Sequence, residues 1–283
     1  MRKPPKGRAW KDVEMIYVNR SSQPVPSTLD GKQSVGGLET VKNAELAAQG
    51  KHNEMTFVAY STQPVKDALG KLFHRKCGYC ESLLLGNQPG DVEHYRPKKK
   101  VRLEPKSGKT REVPGYYWLA AEWGNLLASC ADCNRPRKQE INGAGVEVLG
   151  KANWFPVKDE ARRAKDAKGV KKEPRLLLDP CVDNPIRHLL FHEDGSIEAK
   201  NRSAMGKATI AVCGLDRLEL LQARAMHRES ADVLIRHVLE KLTKNAEPDE
   251  RDVEGLIKLM HPSRPFSGFV QHLVRSKLGA VFP

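Results

Sequence analysis

A chain of 283 residues with 39% apolar content is long enough to bury the core of one large or two modest domains. Its formal charge of +13, from 48 Lys and Arg against 35 Asp and Glu, favours a polyanionic partner, nucleic acid first, because each cation laid on a phosphate releases condensed counterions. No run of about 18 apolar residues offers a membrane span, and the basic start lacks the apolar stretch of a secretion signal, so a membrane protein is excluded and a cytoplasmic location is expected. Six cysteines in such a chain fit a reducing compartment, where paired Cys hold metal more often than they form disulfides.

In chain order, residues 1–30 read as a basic leader with one strand or short helix over 13–18, followed by a Ser/Pro linker. The spacing of Leu38, Val41 and Leu46, then of Val65, Ala68, Leu69, Leu72 and Phe73, predicts helix within 38–73, with Pro64 opening a helix from Val65 to Arg75 that leads into the first knuckle. Cys77-Gly-Tyr-Cys80 follows directly. Its counterpart is Cys130-Ala-Asp-Cys133, and each short turn presents two thiolates to one side of an ion, as a tetrahedral structural zinc requires. His74 is read as a bystander or an outer partner of that site, and the isolated Cys181 and Cys213 as small buried residues.

The long insert between the two knuckles carries Asp91-Val-Glu93-His94-Tyr-Arg96-Pro-Lys98. Glu93 and His94 are neighbours, so on a strand they face opposite ways, one able to bind a cation and the other able to face a water. Glu93 and the side-chain oxygen of Asn134, next after Cys133, offer oxygen ligands to a magnesium or manganese ion. A neutral His94 can then take a proton from the attacking water. The basic segment 97–111 predicts a mobile loop or short surface hairpin, and the aromatic stretch 116–123 should pack the knuckles onto the protein.

Beyond Lys138 come a Gly-rich stretch through Gly150, the apolar Trp154-Phe-Pro, and a charged run over 158–172. A new unit is expected from Leu176, with Asp194-Gly195 marking a hairpin turn. Helical periodicity then runs over 205–242, broken near Gly214 and with Asp216 as the expected N-cap, and two more helices are predicted around 252–260 and 266–278.

The order Cys-x-x-Cys, Glu93-His94-x-x-Pro97, Asn125-Leu-x-x-x-Cys-x-x-Cys-Asn134-x-x-x-Lys138 resembles the HNH endonucleases, whose ββα-metal core wraps two strands and a helix around one divalent ion. The resemblance implies Glu93 as acidic metal ligand, His94 as general base, Asn125 as the brace of the His-bearing loop, and Asn134 as a metal ligand. More narrowly, Glu-His-Tyr-Arg-Pro-Lys98, the run Tyr117 to Leu127, Trp154-Phe-Pro and Leu176-Leu-Leu-Asp-Pro are similar to the HNH subunit of Septu-type anti-phage systems, also found in retron loci. That likeness implies an ATPase subunit as partner. Glu93 stands where Asp is commoner, and Gln139 follows Lys138 where a Gly is frequent.

The expected protein is therefore α+β, mostly helical, with a zinc-stapled ββα-metal core at 66–160, a basic N-terminal segment at 1–65, and a C-terminal hairpin and helical region at 161–283 for partner docking. Arg96, Lys98, Arg135, Arg137 and Lys138 are the expected phosphate contacts, the last three at the start of a helix after the second knuckle, on DNA or RNA. The competing expectation is a non-catalytic, zinc-stabilised nucleic-acid-binding or adaptor module in which Glu93-His94 is incidental.

Overall fold

The computed structural model describes residues 17–85, 90–103 and 110–279, so most of the segment expected at 13–18 lies outside the described residues. Ser34 accepts a hydrogen bond from the Gly37 amide and starts α1 (Val35–Ala48), which stops at Gln49 before Gly50 at φ +70. The apolar spacing finds this helix but not its inner face. Val35, Leu38 and Val41 are exposed, whereas Gly36, Glu39 and Asn43 are buried. The expected helix from Val65 to Arg75 is α2 (Gln63–Leu72), which has Pro64 in its first turn, buries Val65, Leu69 and Leu72 at helical spacing, and stops three residues short of Arg75. It leads straight into the first Cys pair.

β1 (Asp91–His94) pairs antiparallel with β4 (Leu126–Ser129), placing Glu93 opposite Leu127 and His94 opposite Leu126. The basic segment between them forms a hairpin of β2 (Lys100–Leu103) and β3 (Arg111–Pro114). It is no mere surface loop, because Val101 and Leu103 alternate inward and are buried.

After the second Cys pair the expected helix lasts one turn, α3 (Ala131–Asn134). Arg135 leaves it in an extended conformation at φ −97, ψ 142, as a residue before proline is driven to do, and Pro136 has no amide to continue the ladder. Arg137 and Lys138 therefore lie on β5 (Arg137–Ile141), paired with β6 (Gly145–Leu149), and not on a helix. This hairpin is an excursion from the α3 turn. The chain returns with Lys151 N donating to Cys133 O at 2.8 Å and Ala152 N to Asn134 O at 2.6 Å. Gly150 makes the return at φ +124, where a Cβ would lie 2.1 Å from the Arg135 carbonyl oxygen.

The expected hairpin is β7 (Leu189–Phe191) with β8 (Ile197–Ala199), turning at Gly195 with φ +88. α4 (Ala204–Cys213) ends at Gly214 in the left-handed region. α5 (Leu218–Thr243) has Arg217, not Asp216, at its N-cap position, and α6 (Glu250–Met260) and α7 (Ser267–Leu278) pack against it. A single apolar cluster contains Leu69, Leu127, Phe155, Leu177, Leu215 and Phe269, so the α+β assembly of small antiparallel sheets and helices shares one core across its described residues. Among those residues no helix is long and apolar enough to cross a membrane.

Candidate metal centre and adjoining cleft

Cys77 and Cys80 arrive on the turn after α2, and Cys130 and Cys133 on the junction of β4 and α3. All four are buried, with their sulfur atoms within 4.8 Å of one another. Cys80 Sγ and Cys130 Sγ are 3.7 Å apart, far from a disulfide bond and close to the roughly 3.8 Å edge of a tetrahedron with zinc–sulfur distances of about 2.3 Å. The residues fit zinc. Buried Arg217 reaches in from the start of α5, with Nη1 3.7 Å from Cys133 Sγ and Nη2 4.0 Å from Cys130 Sγ, and its charge offsets that of the thiolates. Hydrogen bonds from Cys130 and Cys133 hold the Cys80 thiol well below its usual range. Cys213 is pushed up by burial and, with Cys181, is a buried free thiol outside this cluster.

Beyond the four-cysteine cluster, β1, the end of α3 and the turn before α2 enclose a cleft of about 550 Å³ whose lining includes Tyr60, Asp91, Glu93, His94, Lys98 and Asn134. Glu93 is almost fully buried, and its Oε1 accepts from the wholly buried Lys151 Nζ at 2.5 Å. Burial raises the Glu93 carboxyl, and Lys151 opposes the rise without cancelling it. The same Nζ donates to the His94 carbonyl oxygen at 2.8 Å. Asp91, on the same strand face as Glu93, accepts from Asn134 Nδ2 at 2.9 Å and from Arg135 Nε at 2.9 Å. Burial raises Asp91, but these bonds outweigh it and hold the carboxyl below its ordinary value.

His94 Nε2 lies 3.0 Å from the Ala120 carbonyl oxygen, which can only accept, so Nε2 carries the proton and Nδ1 presents a lone pair. Lys98 Nζ stands 3.3 Å from that Nδ1. Burial, with the positive charges of Lys98 and Lys151, pushes His94 down to about 3 despite the Ala120 carbonyl. The ring is therefore neutral. Asn125 ties the strand end behind it, its Oδ1 accepting from Arg96 N at 2.8 Å and its Nδ2 donating to Arg96 O at 3.0 Å and Leu119 O at 3.1 Å.

Of the sequence-expected residues, Glu93, His94, Lys98, Asn134 and Arg135 line the cleft, and Asn125 sits beneath it. Arg96 does not match its expected role as a phosphate contact. Its Nε pairs with buried Glu173 at 2.7 Å, and its guanidinium lies against the rings of Tyr95 and Phe155. Arg137 pairs with Asp132 on the surface, and Lys138 is exposed on the hairpin away from the cleft lining. Two lining residues, Asp91 and Tyr60, and the buried Lys151 behind Glu93 escape sequence reasoning. Asp91 was signalled by its period-two spacing from Glu93, whereas nothing in the sequence marks Lys151 or Tyr60. The Glu93 carboxylate and the Asn134 amide bring oxygen donors to one cleft, a donor set that fits a hard cation retaining several waters.

No protein-family model matches the chain. It is similar to Septu protein PtuB of Bacillus mycoides (strain KBAB4), 38% identical over 229 residues that cover 81% of this chain and 72% of that protein. A second PtuB, from Bacillus thuringiensis, is 26% identical over 75% of this chain and 63% of its own length. Septu protein PtuA of the same B. mycoides strain is 32% identical over 157 residues, which are 55% of this chain but 19% of that protein. At that identity and coverage of the B. mycoides protein, the chain belongs to the Septu PtuB family.

Proposed function

We propose that this chain is a metal-dependent HNH endonuclease that hydrolyses nucleic-acid phosphodiester bonds in the cytoplasm, as the effector of an anti-phage defence system acting with an ATPase subunit. The observation that carries the reading is the neutral His94 ring, with Nδ1 unprotonated and turned toward Lys98 in a cleft that also holds Glu93 and Asn134. His94 Nδ1 takes the proton of the attacking water as its oxygen bonds to phosphorus. Lys98 and Arg135 draw the scissile phosphate into the cleft, and Asn125 keeps the His94 strand end in register through the Arg96 backbone. A magnesium or manganese ion held by Glu93 and Asn134 would, when bound, stabilise the charge that builds on the phosphate and leaving oxygen. Similarity to both PtuA and PtuB supports a two-protein assembly, and the net charge of +13 supports a nucleic-acid substrate.

A second reading is favoured by one feature. Glu93 is already neutralised by Lys151 and Asp91 by Arg135, as suits a non-catalytic nucleic-acid-binding or adaptor module. The two part on a cleavage assay of supercoiled plasmid and of total cellular RNA, with magnesium or manganese and with or without the PtuA-like partner. Loss of either substrate supports the nuclease and identifies its nucleic acid; binding without cutting in every combination supports the module.

A further inference from the structure

Helix α1 is built the wrong way round for a helix that merely covers a core. It exposes Val35, Leu38 and Val41 at about half their surface or more (49%, 55% and 54%) while burying Glu39 and Asn43 to 8% and 1%. Burying a carboxylate and an amide is costly unless both are hydrogen-bonded. Here both grip one short segment. Glu39 Oε2 accepts from the amides of Val58 at 2.6 Å and Ala59 at 3.1 Å, and Asn43 brackets Thr56, donating to its carbonyl at 2.8 Å and accepting from its amide at 3.3 Å. The residue that follows the two clamped amides is Tyr60. It occupies a single 3-10 turn, Ala59–Ser61, and its ring stands edge-on to His94 with centroids 4.4 Å apart. The Lys98 ammonium lies 4.2 Å from the Tyr60 ring centroid while standing 3.3 Å from His94 Nδ1.

We infer that Tyr60 is a positioning residue for His94 and Lys98, and that the polar inner face of α1 serves to hold it there. The ring packs edge-on against an imidazole already tied at Nε2 to the Ala120 carbonyl, fixing its plane with Nδ1 toward Lys98. It also gives the Lys98 ammonium an aromatic face to rest on. The packing needs the ring and not the hydroxyl. Its kinetic consequence rests on the nuclease reading, while the geometry of His94 does not.

The test uses the full chain, zinc-loaded, as wild type, Tyr60→Phe, Tyr60→Leu and Glu39→Ala. Histidine-labelled NMR reads the tautomer and ring environment of His94, assigned by the signal lost in His94→Ala, and cleavage kinetics are measured alongside. Tyr60→Phe should keep the His94 signals and stay within about threefold of wild type in kcat. Tyr60→Leu and Glu39→Ala should shift or broaden the His94 signals and lower kcat about 10- to 100-fold with little change in KM, the range expected when a reacting group is misplaced by about an ångström. Unchanged His94 signals in Tyr60→Leu overturn the inference, as does a Tyr60→Phe as defective as Tyr60→Leu. If Tyr60→Leu does not fold, a folded Glu39→Ala with wild-type His94 signals overturns it instead. If no variant, wild type included, cuts nucleic acid, the nuclease reading fails, yet the NMR arm still decides whether Tyr60 positions His94.

Discussion

At the residue scale, the least expected feature is the pair Lys151–Glu93, both ends withdrawn from water beside a histidine held neutral. Removing one partner of a buried pair leaves the other charge uncompensated, so Lys151→Met should cost about 3–5 kcal/mol of folding stability, and Lys151→Met with Glu93→Gln should recover most of it. Urea unfolding of the three proteins checks this; equal losses in single and double variants would show that Lys151 acts through packing alone. Gly150 is a second single-residue constraint. An alanine there meets the Arg135 carbonyl oxygen at a positive φ, and Gly150→Ala should lower stability by about 2 kcal/mol or more, with a matching fall in melting temperature. Spacing alone reports Cys77, Cys80, Cys130 and Cys133, whereas Glu93, His94, Asn125 and Asn134 could be named together because their order resembles the HNH pattern. Lys151 and Tyr60 could not, because a chain reversal that no local pattern encodes, the β5–β6 excursion or the turn clamped by Glu39, brings one to Glu93 and the other to His94.

At the scale of elements, periodicity located the helices and the buried face of α2, but not that of α1. The inner face of α1 answers to backbone amides of another segment and not to apolar area. Pro136 was legible as a helix breaker, yet the HNH likeness set a helix after the second knuckle, and the local rule won over the analogy. Contacts on both sides join the cysteine pairs to the C-terminal helices. Glu81, next after Cys80, accepts from the Gly268 amide at the start of α7 at 3.0 Å, and Arg217 at the start of α5 faces the sulfur atoms. Stripping the metal should therefore loosen α5 and α7 together with the knuckles, read as loss of amide protection in both by hydrogen exchange; protection lost at residues 77–80 and 130–133 alone would contradict the coupling. α5 and α7 are also joined by Asp232, which bonds Arg228 at 2.7 Å and Lys277 at 3.0 Å. Burial raises Asp232, but these two cations outweigh it and depress the carboxyl. A depressed acid stabilises the fold above its unfolded value, near pH 4, and that stability is lost as pH falls through the lower folded value. Asp232→Asn should flatten the acid limb of the melting-temperature profile below about pH 4.

At the scale of the whole molecule, one apolar cluster runs from Val18 to Leu278, so the C-terminal half is part of what holds the knuckles and the cleft. Truncation after Asn201 removes Arg217, α5 and α7, and should yield protein that fails to retain zinc or melt cooperatively; a folded, zinc-loaded fragment would show the halves to be independent. The net charge of +13 favours a polyanionic partner, and if Lys98, Arg135 and Lys138 meet nucleic-acid phosphates, affinity should fall steeply between 50 and 200 mM salt. The broad α+β class and the metal cluster followed from composition and spacing, whereas the shared core did not, since it depends on long-range contacts such as Val18 to Pro180. The central claim is that His94 is the base of a nuclease. It is tested most directly by comparing the cleavage rates of wild type and His94→Ala on one nucleic-acid substrate with magnesium or manganese and the partner present, with zinc content and melting temperature measured on the same samples. The expected result is loss of at least about a hundredfold in rate, as removal of a general base produces, with zinc retained and the fold intact. A folded, zinc-loaded His94→Ala that cuts as fast as wild type would contradict it.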